Sequence, residues 1–415
     1  MKKNKLLNDS LIMVLSSGIA QIILMITIPF ISRVYSPNEF GVFTLFSNIV
    51  TVLIPIINGR YDLLIITAKS IKKANILSTI SFIISLIIIL ILIPISIIYI
   101  YIHPEYILET SLVVLILLLV SLTNIFTSYL NREKNYRMLG LINISRAFFM
   151  SIIQIILGYL SFGSVGLIIG FAFSYIAGVT IGYKSFKTYF KIVKNKNQII
   201  KQFVDNKNQL IFSTPSIFLN SLSFSIVIFF ISILFTNEDV GIYGMVIRIL
   251  GVPITIISSG LSKIFMQSSN EYYIYKGSFR KQLTNFTLIL SALSLFMYIP
   301  FYFINDNLIT SILGSEWVDT ILIIKIVIPM FMIRLIVSTV SLSVIVFNKQ
   351  HIELFFQSIF LGVTILAYIL TVSLNLSFIE FVIYNSFGMF VAYIVFYIMI
   401  YINAKNKNFK INGER

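Results

Sequence analysis

Residues 75–102, NILSTISFIISLIIILILIPISIIYIYI, decide the fold of this chain. The stretch carries no charged side chain, and it is longer than the roughly 20 apolar residues that a helix needs to cross the hydrocarbon core of a bilayer. Lipid offers no hydrogen-bond partner to an open backbone, so only a helix or a closed barrel can cross it. The run is long, continuous and rich in Ile and Leu, which predicts a transmembrane helix.

The same pattern recurs along the whole chain. Of the 415 residues, 58% are hydrophobic and only 11% are charged, whereas soluble proteins are about 45–50% apolar. The sequence therefore predicts an all-α integral membrane protein with about twelve transmembrane helices. We expect these spans at residues 9–32, 40–66, 75–102, 107–130, 138–160, 163–185, 211–235, 241–266, 282–305, 319–347, 351–373 and 377–402.

Basic residues concentrate in alternate connections between the spans, and the net charge is +15. The segments at 67–74, 131–137, 186–210 and 263–281 are rich in Lys and Arg, while the opposite connections carry acids and few cations. Cytoplasmic loops of membrane proteins show this excess, so both termini are predicted to be cytoplasmic. The distribution argues against nucleic acid as a partner. The N-terminal run could be a cleavable signal peptide, but its length predicts an uncleaved first span.

The two halves of the chain echo each other. YSPNEFGVFTL (35–45) and FTNEDVGIYGM (235–245) each open the second span of their half, and Pro55 and Pro253 follow at similar depths. Six spans per half would give both lobes the same orientation, related by a pseudo-two-fold axis along the membrane normal, with a substrate path between them. The predicted parts are an N-terminal six-helix lobe (1–186), a basic cytoplasmic linker (187–210), a C-terminal six-helix lobe (211–402) and a cytoplasmic tail (403–415).

Cations outnumber acids within the spans. The six cations outside the cytoplasmic segments are Arg33, Arg60, Arg146, Arg248, Lys325 and Arg334. The acid well inside a span is Asp62, which on a helix points to a different side from Arg60. A charge in hydrocarbon costs about 2.5–3.5 kcal/mol, so the surplus predicts a water-filled cavity with an anionic ligand. The guanidinium group suits phosphate. Snorkelling to the headgroups is the alternative, above all for Arg60 and Lys325.

Polar side chains on the spans indicate a wet interior. Ser10, Ser17 and Gln21 recur along the first span, and Asn220 belongs to a serine-containing face of the seventh. Small polar residues also mediate helix–helix contact, so that interpretation stays open for the serines. Gln21, Gln154 and Asn220 are the better candidates for hydrogen bonds to a hydroxyl-rich substrate. With no cysteine and two distant histidines, His103 and His351, the sequence predicts no His- or Cys-based metal site and no cofactor.

Six stretches resemble motifs of one transporter family. They are YSPNEFGVF (35–43), GRYDLLIITA (59–68), YLNREKNYRMLGLINISRA (129–147), GYLSFGSVGLIIGFAFSYIAG (158–178), VGIYGMVIRILGVP (240–253) and LGSEWVDTILIIKIVIP (313–329). They occur in the family's order and cover most of the chain. On these motifs the chain resembles the Wzx-type O-antigen and capsule flippases of the multidrug/oligosaccharidyl-lipid/polysaccharide exporter superfamily.

The resemblance implies a function and a ligand. Such flippases move an undecaprenyl-diphosphate-linked oligosaccharide from the inner to the outer leaflet of the bacterial cytoplasmic membrane. The diphosphate would supply the anion for the cationic cavity, and the implied partners are membrane lipids and the polymerase and chain-length proteins of the same pathway. Asp62 stands where the family usually has Glu and is a candidate for ion coupling. The candidate cavity residues are Arg60, Arg146, Arg248, Arg334, Asn220, Gln154 and Gln21, with Arg33 and Lys325 in its outer part.

Other functions stay open at this point. A cation-coupled multidrug exporter shares the fold but favours acids in its cavity. A membrane-embedded polysaccharide polymerase or glycosyltransferase usually needs a large outer loop or paired carboxylates. The nearest candidate for such a pair, NEDV (237–240), reads better as a turn at the end of a span. A peptidoglycan-precursor flippase would share the ligand chemistry.

Overall fold

A computed structural model describes residues 2–187, 192–346 and 350–405. These residues are helical apart from short turns and one isolated bridge between Ser278 and Lys405. The α-helices in chain order are α1 (Lys2–Val34), α2 (Pro37–Leu53), α3 (Tyr61–Thr67), α4 (Ile71–Ile102), α5 (Ile107–Arg132), α6 (Tyr136–Tyr159), α7 (Gly163–Phe186), α8 (Lys196–Asp205), α9 (Thr214–Leu234), α10 (Asn237–Lys276), α11 (Arg280–Tyr298), α12 (Asp306–Leu313), α13 (Thr320–Val340), α14 (Gln350–Leu374) and α15 (Phe378–Asn403).

Within the described residues, 11 helical segments are long and apolar enough to cross a membrane. These segments coincide with all the predicted spans except the second. The agreement confirms a multi-pass all-α membrane protein. Helix α4 shows the features of such a membrane-spanning segment. Ser70 caps it by accepting a hydrogen bond from the backbone of Lys73. From Ile83 to Ile98 its exposed side chains, such as Leu90, are apolar. An apolar exposed surface of this kind is suited to lipid.

The second predicted span, 40–66, is not a continuous helix, and that expectation is wrong. Helix α2 ends at Leu53, residues 54–60 form turns, and α3 begins at Tyr61. Gly59 (φ 58°) and Arg60 (φ 64°) take the left-handed conformation, which an α-helix cannot continue through. Counting apolar residues missed the break because it gave no weight to the Asn-Gly pair. The total of twelve crossings stays a prediction.

Side chains from other helices satisfy the backbone at this break. The Asn58 side chain is buried and donates to the Ser121 hydroxyl at 2.8 Å. The Asn124 amide donates to Asn58 Oδ1 at 3.1 Å and to the Ile54 carbonyl at 3.2 Å. One turn earlier, the Thr51 carbonyl accepts from Ser221 at 3.3 Å. Because lipid cannot satisfy these groups, the hydrogen bonds make an interrupted helix possible inside the membrane.

The chain divides into two compact units, Met1–Ile228 and Phe229–Arg415, with the boundary inside α9. In the first unit α7 packs against α6 and α5, and α6 packs against α1. In the second unit α13 packs against α10, α11 and α15. The predicted lobes 1–186 and 211–402, and the two-fold axis relating them, stay predictions.

Candidate functional site

A cavity of about 450 Å³ opens within the first unit, between α1, α6 and α7. Its volume falls in the range of about 300–1,000 Å³ that is typical of ligand pockets. Among the described residues, the lining combines one cation with amides, hydroxyls and apolar side chains and includes no carboxylate. The lining residues are Ser17, Ala20, Gln21, Leu24, Asn143, Arg146, Ala147, Met150, Phe171 and Ser174.

Arg146 is the charged group of this cavity. Its guanidinium carbon lies 3.9 Å from the centre of the Tyr175 ring, which is a close cation–π contact. Its Nε is buried and has no hydrogen-bond partner. Among the described residues it forms no salt bridge. The charge is therefore held by an aromatic face and keeps hydrogen-bonding capacity that no protein group uses.

The path of the Arg146 side chain depends on a glycine of α7. A Cβ atom built on Gly178 would lie 3.2 Å from Arg146 Cδ and 3.4 Å from the Thr123 methyl group. The first contact is tighter than ordinary van der Waals packing, so even an alanine there would press on the arginine. Tyr175 is on the same helix, three residues earlier. One turn of α7 thus supplies both the space and the ring that hold the guanidinium.

Two of the ten predicted site residues, Gln21 and Arg146, line this cavity. Asn143, Ser174 and Tyr175 were not among the residues predicted from the sequence. Asn143 was detectable, because it precedes Arg146 by three residues and so shares its helix face. The positions of Ser174 and Tyr175 depend on the packing of α7 against α6, which no local pattern in the sequence encodes.

Gln154 does not line the cavity. Its side chain is fully buried and its amide donates to the Leu167 carbonyl of α7 at 2.8 Å. Its backbone carbonyl accepts from the Tyr35 hydroxyl at 2.7 Å. The Gln154 Oε1 is buried without a hydrogen-bond partner. The two bonds link α6 to α7 and to Tyr35, so the placement favours a role in joining these helices.

Arg60 and Asp62 lie at the break in the second predicted span. Arg60 is half-buried, precedes the first residue of α3, and has a buried Nε without a hydrogen-bond partner. Asp62 is half-buried in the first turn of α3. No salt bridge joins the two side chains. Both therefore lie at a backbone irregularity and not on the regular helix that was expected.

The other predicted residues lie elsewhere. Arg33 is exposed at the end of α1, and Asn220 is half-buried on α9. In the second unit Arg248 and Lys325 are half-buried on α10 and α13, and the Arg334 guanidinium lies 5.6 Å from the centre of the Phe331 ring. None of these five side chains lines the cavity of the first unit.

Comparison with solved structures identifies the fold. A chain described as "Lipid II flippase MurJ, inward closed conformation" matches with a TM-score of 0.71 and 14% identity, over 95% of this chain and 90% of that one. An inward-facing "multidrug resistance MATE family transporter of the MOP superfamily" matches with a TM-score of 0.63 and 15% identity, over 95% and 94%. The chain therefore has the same fold as these two proteins.

The family follows from the sequence itself. The model of the polysaccharide biosynthesis protein family matches residues 30–322, and the chain belongs to that family. A search of curated protein sequences gave no match.

Proposed function

We propose that this chain is a flippase for an oligosaccharide linked through a diphosphate to a polyprenyl lipid. The observation that carries the proposal is Arg146. Its guanidinium lies in an intramembrane cavity, against the Tyr175 ring. Among the described residues, no group accepts a hydrogen bond from its buried Nε and no carboxylate pairs with it. A buried cation inside a membrane raises the free energy of the folded protein unless an anion compensates its charge.

The chemistry of the cavity fits the head group of such a lipid. Guanidinium binds phosphate through two parallel hydrogen bonds, and the bonds are strengthened because both partners are charged. Gln21, Asn143 and Ser174 supply amide and hydroxyl groups for sugar hydroxyls. The polyprenyl tail is apolar and can remain in lipid while the head group passes. Membership of a polysaccharide biosynthesis family supports an oligosaccharide head group.

The other predicted site residues would also take part in transport. Arg60, Arg248, Arg334 and Asn220 would contact the head group elsewhere along its path, with Arg33 and Lys325 at the outer end. Asp62 would couple transport to an ion. The direction would be from the inner to the outer leaflet of a bacterial cytoplasmic membrane with both termini cytoplasmic. The O-antigen or capsule repeat unit would be the cargo, delivered to the polymerase and chain-length proteins of its pathway.

The proposal is tested in cells that lack the chain and are supplied with variants. We expect Arg146→Ala to reduce surface glycan by about a hundredfold, since removing one partner of a buried charged pair costs about 2–5 kcal/mol. Arg146→Lys should restore part of the surface glycan, because lysine keeps the charge but cannot form the two parallel hydrogen bonds of a guanidinium group. The matched control is Lys281→Ala, which removes an exposed cation at the start of α11.

Normal surface glycan in the Arg146→Ala strain, at equal protein level in the membrane, would refute the assignment. Sugar analysis of the lipid intermediate that accumulates then identifies the cargo. Accumulation of lipid II, the cargo named in the description of MurJ, would instead identify the chain as a flippase for a peptidoglycan precursor. A multidrug exporter would instead leave lipid intermediates unchanged and alter resistance to cationic dyes. The described residues that line the cavity include no carboxylate, and this disfavours a multidrug exporter.

A further inference from the structure

Helix α8, which lies between α7 and α9 in the chain, is docked on the first unit. Its Ile199 and Phe203, one turn apart, pack against a buried cluster that includes Tyr61 and Ala74. The Tyr61 and Phe203 rings stack with their centres 5.8 Å apart, and the Tyr61 hydroxyl donates to the Phe203 carbonyl at 3.0 Å. Tyr61 is completely buried. The GRYD motif thus fixes α8 by its tyrosine, a role distinct from that of its charged residues.

The docking site places α8 at the boundary between membrane and water. Helix α8 packs on α4, and the Val193 backbone just before it donates to the Thr79 hydroxyl at 3.3 Å. Thr79 lies about two turns inside α4, which begins at Ile71 and crosses the membrane. A helix held against the first turns of a spanning helix lies level with the lipid headgroups.

A second apolar stripe on α8 is about half exposed. Ile200 is 49% exposed and Val204 is 52% exposed. At about 100° per residue, this pair lies beside the docked pair Ile199 and Phe203, and the four together cover an arc of about 140°. Half of the apolar arc therefore contacts the protein, and the adjacent half extends away from it. That geometry suits a helix lying along the rim of a membrane protein, with its free half toward lipid.

The segment around α8 is rich in lysine, although the polar side of the helix itself combines Lys201 with Asp205. Between residues 184 and 210 the single acid is Asp205. The described lysines of this segment are exposed, and none forms a salt bridge within the described residues. They are Lys187, Lys194, Lys196, Lys201 and Lys207. Lys69 and Lys72, at the start of the nearby α4, add to the same positive surface.

We propose that α8 is an interfacial anchor whose partner is an anionic phospholipid surface. Amphipathic helices with lysines on the polar face bind membranes by burying the apolar face and by attraction to anionic headgroups. Each lysine near such a surface contributes about a fivefold increase in binding. This anchor is independent of the cargo and of the cavity, because it involves only Lys187, residues 192–210 and the helices that hold them.

The absence of cysteine from the chain makes a direct test simple. A single cysteine at Val204 (V204C) or at Gln198 (Q198C) is labelled with an environment-sensitive fluorophore, and the full-length protein is placed in nanodiscs. Gln198 is the matched control because it lies on the opposite, polar side of α8. The nanodiscs contain phosphatidylcholine alone or phosphatidylcholine with phosphatidylglycerol. Access is measured with a water-soluble quencher and with a lipid-borne quencher.

We expect the label at 204 to be reached by the lipid-borne quencher, and the label at 198 by the aqueous one. Phosphatidylglycerol should strengthen the protection at 204, and high salt should weaken it by screening. Replacing Lys194, Lys196 and Lys201 together by Gln should weaken the association of α8 with the phosphatidylglycerol membrane by roughly a hundredfold, and should reduce the protection at 204 accordingly. Equal aqueous access at both positions, or protection that is the same in both lipids, would overturn the proposal.

Discussion

Helices α2 and α10 begin alike and end differently. Ser36 and Glu39 form a reciprocal capping box at the start of α2, and Thr236 and Asp239 form the same box at the start of α10. Helix α2 then stops at Leu53, before Pro55, whereas α10 continues through Pro253 to Lys276. The comparison shows that a proline in mid-span does not by itself end a membrane helix.

The difference lies in the residues just after each proline. In the first unit Asn58 holds Ser121 and Asn124, and Gly59 and Arg60 turn left-handed. At the position of Asn58, counted from the cap, α10 has Ser258. Its hydroxyl lies 3.0 Å from the hydroxyls of Ser338 and Thr339. A hydroxyl can make these bonds while its own backbone stays helical. The Asn58 amide instead joins turn residues to α5.

The largest effect is expected from removing that amide. Asn58→Leu removes the donor to the Ser121 hydroxyl and one of the two acceptors of the Asn124 amide. Each unsatisfied buried group costs about 1–3 kcal/mol, so we expect a loss of roughly 2–4 kcal/mol in the free energy of unfolding. The measurement is denaturation by SDS in mixed micelles. Ser258→Ala is the counterpart in α10 and should cost about 0.6 kcal/mol, the average for a hydrogen bond between membrane helices. Equal losses in the two variants would contradict the view that the break depends on Asn58.

A smaller effect is expected at the left-handed glycine. A Cβ atom on Gly59 would lie 3.0 Å from Ile84 Cδ1 and 3.1 Å from Leu210 Cδ1, in a backbone with φ 58°. Gly59→Ala should therefore cost about 1–2 kcal/mol. Gly251, two residues before Pro253, has open space within 4 Å of the position that a Cβ atom would take. Gly251→Ala should leave stability unchanged or raise it by up to about 1 kcal/mol. If both alanines were neutral, the left-handed turn would not be a requirement of the fold.

The spans were predictable from the sequence because lipid imposes one rule on every segment that crosses it. Length and apolar composition therefore located 11 segments. The break at residues 54–60 was not predictable in the same way, since it depends on Asn124 and Ser121 of α5 meeting Asn58 across the fold. For the cavity, the surplus charge pointed to Arg146 and the helix face to Gln21. Tyr175 and Gly178 act through the contact of α7 with α6, which has no local signature.

The two capping boxes offer a test of the similarity between the helices. Ser36→Ala and Thr236→Ala each remove the side chain that accepts from the backbone three residues later. Both substitutions should cost about 1 kcal/mol of unfolding free energy. Their agreement is the informative result, because it would show that the two starts are energetically equivalent. A loss at one position only would mean that the likeness of the two motifs is confined to their sequences.

The smallest effect is expected from Pro55. If the proline caused the break, Pro55→Ala would restore a continuous helix. Since Asn58, Asn124 and Gly59 hold the turn, we expect the break to persist and the free energy of unfolding to change by less than about 0.5 kcal/mol.

Spin labels on cysteines at Thr51 and Leu63, both exposed, report the geometry by their separation. A continuous helix would place the two backbone positions about 18 Å apart. We expect the parent distance distribution in Pro55→Ala and a shift toward the continuous-helix separation in Asn58→Leu. The opposite result would assign the break to the proline. Pro253 would then owe its uninterrupted helix to its surroundings in the second unit.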